Sequence, residues 1–172
     1  MKKAVLISIR PQWVAKIMKK EKTIEVRTKA PKCELPIDVY IYCTKGDYIG
    51  HLSNRYVGKV CAKFTLRKIS EIENEMRTDL DDSKYPSYFT TDMSEHELLE
   101  NSFLTSWEIN EYLRRKKGYA WHISDLVVFD KPKELCEFYG TPKKINGLYG
   151  AEMANASLSK APQSYCFIEE EE

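Results

Sequence analysis

The chain has 172 residues, of which 42% are hydrophobic and 31% are charged, so it can bury one good core with little left for a second. Its 27 Lys and Arg residues against 26 Asp and Glu residues leave a net charge of +1, which excludes a strongly basic nucleic-acid-binding protein. Any binding of nucleic acid must then use local patches, and we predict a single domain over residues 1–172.

Cysteine usage and apolar runs indicate the compartment. The 5 cysteines include no C-x-x-C pair, so neither a zinc site nor a redox couple is expected. The apolar run at residues 4–7 is interrupted at Ser8, unlike a signal peptide, and no run approaches the roughly 20 apolar residues of a membrane span. We expect a soluble cytoplasmic protein with reduced thiols, no membrane contact, no metal and no cofactor.

The first three predicted elements lie between residues 4 and 28. Residues 4–9 are rich in branched apolar side chains and predict a buried strand. Residues 13–21 carry apolar side chains at helical spacing and predict an amphipathic helix. Residues 23–28 alternate in polarity and predict a strand, because successive strand side chains point to opposite faces. The polar side of the helix carries Lys16, Lys19 and Lys20.

The rest of the chain predicts more strands and a helical insertion at about residues 92–118. Within the insertion, Ser94 and Glu97 form a capping-box pattern that starts one helix. A second helix follows Ser106, covers residues 107–117 and is closed by Gly118. The predicted strands are residues 37–43, 57–67, 119–129 and 164–168.

Three segments lack a helix or strand pattern. Residues 71–88 and 143–162 show no strong period and predict long surface connections. The acidic tail at residues 169–172 predicts a frayed end, because its like charges repel. The complete order predicts an α+β fold built around a mostly antiparallel barrel.

The most informative charges lie between residues 20 and 27. Glu25 and Arg27 project from the same strand face, about 6.5 to 7 Å apart along it, and Lys22 lies at the turn just before. Three charged groups therefore converge near one end of the helix. Spacing alone favours a solvated strand face, with Glu25 and Arg27 in a surface pair that contributes about 0 to 1 kcal/mol.

The same segment resembles the motif of the ASCH family, G-x-K-x-x-E-x-R, with Lys22, Glu25 and Arg27 at its charged positions. The helix start at residues 11–13 and the strand at residues 119–123 also resemble that family. The resemblance covers most of the chain and implies a PUA-like, mostly antiparallel β-barrel with flanking helices and a helical insertion. Glu21 stands at the motif's glycine, so the turn must use a non-glycine conformation.

The resemblance implies binding of RNA or a nucleotide-like ligand in a polar, partly basic cleft beside the first helix. Lys22 would contact a phosphate, and Arg27 would fork onto a phosphate or a base edge. Glu25 would accept a hydrogen bond from a base amino group or hold Arg27 in place. Trp13 would stack on a base, whereas Trp121, inside an apolar strand, fits core packing better.

Other residues would extend that cleft. His122 follows Trp121 on the opposite side of its strand, so it faces the cleft or solvent if Trp121 is buried, and there it would hydrogen-bond a ligand. Lys19 and Lys20 lie beside the motif. With the basic run at residues 114–117, they would form a wall for a phosphate backbone if both clusters share one side.

Two other functions stay open. Some proteins of the ASCH type hydrolyse an acylated cytidine using the motif lysine, a threonine and a separate glutamate. Lys22 matches that lysine and would then be catalytic, but Glu25 occupies the threonine position and no later glutamate is matched. Amide hydrolysis of a nucleoside such as an N4-acylated cytidine therefore ranks second. The third candidate is a protein-interaction accessory module, whose suspect surface would contain Phe103, Leu104 and Trp107. Burial against the barrel explains these three residues more simply.

Overall fold

The structure, a computed structural model, describes residues 2–46, 52–75, 87–90, 92–114, 116–140 and 157–170. The chain groups into two compact units. The first unit comprises Met1–Met18, Ile37–Thr65 and Asp125–Glu172, and the second comprises Lys19–Pro36 and Leu66–Ser124. The expected single domain over residues 1–172 stays a prediction, because a grouping by contacts does not test whether either unit folds alone.

The described residues form strands and short helices. The helices are α1 (Pro11–Met18), α2 (Glu95–Ser102) and α3 (Ser106–Leu113). The strands are β1 (Lys2–Ile9), β2 (Ile24–Arg27), β3 (Ile37–Cys43), β4 (Val60–Glu75), β5 (Ser87–Thr90), β6 (Gly118–Lys133), β7 (Tyr139–Gly140) and β8 (Tyr165–Glu170). Short 3-10 turns lie at Asn54–Tyr56 and Leu135–Glu137.

The first unit is organised around β1. This strand pairs in parallel with β3 and antiparallel with β8, which also pairs with β7. Residues 4–9 are all buried, so the predicted buried strand is confirmed. Its core consists of Ala4, Leu6, Tyr40, Tyr42, Val60, Phe138 and Ile168.

In the second unit, two helices pack against two antiparallel strand pairs, and the pair of β2 with β6 forms a short ribbon. Strand β2 pairs antiparallel with the start of β6, and the end of β4 pairs antiparallel with β5. The inward sides of α2 and α3 complete an apolar core, so the predicted helical insertion covers one face of the ribbon. That core consists of Ile24, Val26, Ile72, Leu98, Ile109, Leu113 and Ala120.

The helix boundaries in the insertion are partly as predicted. The Ser94 capping box is confirmed, since its hydroxyl accepts from the Glu97 amide at 3.2 Å. The start of α3 differs, because Thr105 and not Ser106 is the N-cap, with its hydroxyl accepting from the Glu108 amide. The predicted end at Gly118 is wrong. The helix ends at Leu113, Arg114 takes a left-handed φ of 50°, and Gly118 begins β6.

Two predicted irregular segments contain strand. Residues 71–75 continue β4 and residues 87–90 form β5, so the predicted connection over residues 71–88 is wrong at both ends, while residues 76–86 lie outside the described residues. Of the second predicted connection, residues 143–156 also lie outside. The predicted fraying is wrong for Glu169 and Glu170, which pair with Lys3 and Lys2 on β1.

The predicted fold class is confirmed as α+β with mostly antiparallel strand pairs, whereas β1 and β3 pair in parallel. Closure of the strands into a barrel stays a prediction. In the part of the chain that the structure describes, no helix has the length and apolarity needed to cross a membrane.

The start of α3 is testable with two adjacent substitutions. Thr105→Ala should lower the free energy of unfolding by about 1 kcal/mol, because the Glu108 amide loses its acceptor. Ser106→Ala is the matched control and should change the free energy of unfolding much less. Urea denaturation of both variants measures the difference, and a larger loss in Ser106→Ala would contradict the assigned N-cap.

Candidate functional site

The turn before β2 positions the motif residues. A left-handed residue does occur there, but it is Lys20, with a φ of 61°, and not Glu21 at the motif's glycine position. A lysine in this conformation is uncommon but allowed. Lys19 and Lys20 are both exposed. The non-glycine turn that the sequence requires therefore forms one residue earlier than the motif suggests.

Lys22, Glu25 and Arg27 form a buried charge cluster. Their exposed fractions are only 2%, 6% and 7%. The Glu25 carboxylate accepts from Lys22 Nζ at 3.3 Å through Oε2 and from Arg27 Nη2 at 3.0 Å through Oε1. The predicted convergence of the three charges is therefore confirmed, and the alternative of a solvated strand face is wrong.

The end of α2 supplies further partners for this cluster. Lys22 Nζ donates to the Ser102 carbonyl at 2.6 Å, and the Thr23 amide donates to the Asn101 carbonyl at 3.0 Å. The last carbonyls of a helix lack partners within the helix and carry its negative dipole end. Lys22 therefore has a structural role, since it satisfies a helix terminus as well as a carboxylate.

Burial changes the acid–base behaviour of Lys22. Loss of hydration lowers its pKa below the ordinary 10.5, Arg27 acts in the same direction, and Glu25 opposes both. The ammonium group thus gives up its proton more readily than a lysine in water does. Any anion that approached it would favour the charged form again.

The pairing of β2 with β6 decides which side chains share a face. Glu25 lies opposite Trp121 and Arg27 opposite Tyr119, whereas Ile24 lies opposite His122. Directly opposed residues in an antiparallel pair project to the same side. The charge cluster therefore shares its face with Trp121 and Tyr119. Sequence reasoning did not place Tyr119 beside Arg27, because the register between the two strands is visible only in the structure.

His122 belongs to a different group of side chains, on the other face of the ribbon. Its Nε2 lies 2.8 Å from the Ser70 hydroxyl, which donates to Asp92 Oδ2 at 3.0 Å. Lys68 Nζ contacts the same carboxylate oxygen at 2.7 Å. Since the hydroxyl proton goes to Asp92, Ser70 must accept from His122, which fixes the Nε2–H tautomer. The structure therefore does not bring His122 together with Lys22, Glu25 and Arg27.

The remaining predicted residues are placed as follows. Trp13 lies on α1 in the first unit and is partly buried, so its stacking role stays a prediction. The basic run at residues 114–117 is exposed where described, with Arg115 outside the described residues, and Lys117 pairs with Glu71. Burial in the core does not explain Phe103 and Trp107, which are 40% and 62% exposed, whereas Leu104 packs against the core.

Comparisons with solved structures identify the fold. ASCH from Zymomonas mobilis matches 96% of this chain and 87% of its own at 17% identity, with a TM-score of 0.57. A serine-to-alanine variant of it matches 96% and 88% at 17% identity, with a TM-score of 0.56. A tyrosine-to-phenylalanine variant matches 78% and 77% at 18% identity, with a TM-score of 0.50. No protein-family model and no curated protein matches the sequence.

Fold and site together define a mostly antiparallel α+β protein with a buried charge cluster, which a hydrogen bond from Lys22 links to the end of α2. The chain has the ASCH-domain fold, as its motif predicts. At 17% to 18% identity the likeness establishes the fold, and the ligand has to be inferred from the site.

The His122 group predicts a specific pH dependence of stability. Burial, and then Lys68, lower the pKa of His122 below the ordinary 6.5, while Asp92 opposes them. The unfolded chain therefore takes up the proton first, so the free energy of unfolding should fall as the pH drops below 6.5, until the lowered pKa is reached. Urea denaturation across this range should show a shallower pH slope in His122→Gln.

Asp92 acts in another pH window. Hydrogen bonds from Lys68 and Ser70 hold its pKa below the ordinary 3.8, so the stability it contributes is lost only in stronger acid. His96→Gln is the matched substitution at a second histidine, because His96 is exposed on α2. An unchanged slope in His122→Gln would contradict a lowered pKa for His122.

Proposed function

We propose that this protein binds RNA or a nucleotide-like ligand, and that the buried charge cluster holds a phosphate of that ligand. The observation that carries this proposal is the composition of the cluster, in which two cations share a single carboxylate. A phosphate bound there would bring negative charge to a place where two cations adjoin. The resemblance of the motif to that of the ASCH family implies the same class of ligand.

Burial sets the strength and the order of contacts. The side chains of Glu25 and Arg27 are each 8% exposed, whereas that of Lys22 is 1% exposed. A phosphate would therefore meet Arg27 first, whose planar guanidinium suits two phosphate oxygens. Because water is largely excluded, each such contact is stronger than on an open surface.

The cytosol is the compartment that we propose. All 5 cysteines are free thiols. Burial raises the pKa of Cys43 to about 11 and that of Cys61 to about 12, so both thiols stay protonated and poorly reactive near neutral pH. These properties fit a reducing environment.

Binding should depend on Arg27 and on pH. Arg27→Gln should weaken binding of a labelled single-stranded RNA by about 10- to 100-fold, the loss expected for a charge-assisted hydrogen bond. The same substitution should also make the plot of log affinity against log salt concentration less steep, by the amount expected for about one phosphate contact. The affinity of wild-type protein should fall as the pH rises through the lowered pKa of Lys22, because the anion favours the ammonium form. Fluorescence anisotropy measures all three.

The exposed cation Lys29 provides the control for that experiment, since it lies two residues beyond Arg27. Lys29→Ala should keep the wild-type affinity to within a small factor. Circular dichroism checks that each variant is folded. Equal losses in Arg27→Gln and Lys29→Ala would indicate nonspecific attraction to basic residues, and absence of binding by wild-type protein would refute the proposal.

Amide hydrolysis of an acylated nucleoside is the second candidate. The lowered pKa of Lys22 favours it, because a neutral amine can act as a base or a nucleophile. Wild-type protein should then release cytidine from N4-acetylcytidine, and Lys22→Met should reduce the rate to background. Chromatography of the products measures the release. If purified wild-type protein leaves a panel of N4-acylated cytidines intact, this candidate is excluded.

A further inference from the structure

Tyr119 occupies a distinctive place beside the charge cluster. It lies directly opposite Arg27 in the ribbon, and side chains so opposed have Cβ atoms about 4.5 to 5.5 Å apart. Trp121, two residues further along the same strand, lies on the same face opposite Glu25. Two aromatic side chains therefore line the face of the ribbon that carries the charges.

The two aromatic residues differ in exposure. Trp121 has an exposed fraction of 0%, so its ring is not accessible to a ligand. Tyr119 is only partly buried, and it lies close enough to Lys117 to help Glu71 raise the pKa of that exposed lysine. On this stretch of ribbon, Tyr119 therefore combines access to solvent with a position next to Arg27.

We propose that Tyr119 is the stacking platform for an unpaired nucleobase whose phosphate is held by the charge cluster. This inference rests on the proposed function and adds a ligand class, namely a single-stranded or free nucleotide. The phosphate and base of a nucleotide are joined by one ribose, so neighbouring cross-strand side chains can contact both. A base within a duplex is already stacked on its neighbours and is not available to Tyr119. Stacking on an aromatic side chain tolerates any base.

The experiment separates recognition of the base from recognition of the phosphate. Cytidine monophosphate and ribose 5-phosphate, which lacks the base, are titrated into wild-type protein, Tyr119→Leu and Tyr119→Phe by calorimetry. Wild-type protein and Tyr119→Phe should bind the nucleotide more tightly than the sugar phosphate. Tyr119→Leu should bind the nucleotide about 5- to 150-fold more weakly than wild-type protein does. Its affinity for ribose 5-phosphate should stay that of wild-type protein. Tyr112→Leu, at an exposed aromatic residue of α3, is the control and should bind as wild type does.

The possible outcomes are distinct. A Tyr119→Leu protein that still prefers the nucleotide as strongly as wild type overturns the stacking role and leaves phosphate binding intact. Absence of binding of either compound to wild-type protein overturns both this inference and the proposed function. If Tyr119→Leu does not fold, nuclear Overhauser effects between the base and Tyr119 ring protons in wild-type protein decide, and their absence in a saturated complex overturns the role.

Discussion

The buried ammonium group of Lys22 is the constraint on which the second unit depends. A charge removed from water costs several kcal/mol unless it is compensated by charge and hydrogen bonds. Glu25 supplies the charge, and the Ser102 carbonyl supplies a hydrogen bond from the end of α2. The motif strand and the helical insertion are therefore linked through one side chain, which explains how a lysine can be buried next to an arginine.

The ribbon of β2 and β6 separates two environments. On one face, Ile24 and Val26 meet the apolar sides of α2 and α3, and His122 joins the hydrogen-bonded chain through Ser70 to Asp92. On the other face lie the charge cluster and its two aromatic neighbours. Such a division needs only the alternation of strand side chains, so a strand of four residues contributes both to the core and to the candidate site.

The convergence of Lys22, Glu25 and Arg27 can be predicted from the sequence. It depends only on the alternation of strand side chains and on the short preceding turn, and both involve only a few neighbouring residues. The sequence does not reveal the burial of the cluster, which depends on a carbonyl 80 residues away. The assignment of His122 to the cleft fails for a similar reason. Its face is set by the register with β2, and no local pattern around His122 contains that register.

Both predicted boundaries of α3 differ from the structure, for a different reason. Thr105 and Ser106 are both good N-cap residues, but only Thr105 has a glutamate three positions later, and that local signal was available in the sequence. The early end of the helix was less accessible, because Arg114 takes a left-handed conformation that arginine adopts rarely. Local chemistry thus decides the start of α3, whereas its end follows a backbone conformation that the sequence does not indicate.

The turn at Lys20 has a consequence for how this protein can vary. A shift of one residue in the register of β2 would turn Glu25 and Arg27 into the apolar core and expose Ile24 and Val26. A substitution in the turn leaves the register of β2 unchanged, so it is tolerable. An insertion or deletion of one residue between α1 and β2 is not tolerable, because it would exchange the two faces of β2. Among related sequences, the composition of this turn should therefore drift while its length stays fixed.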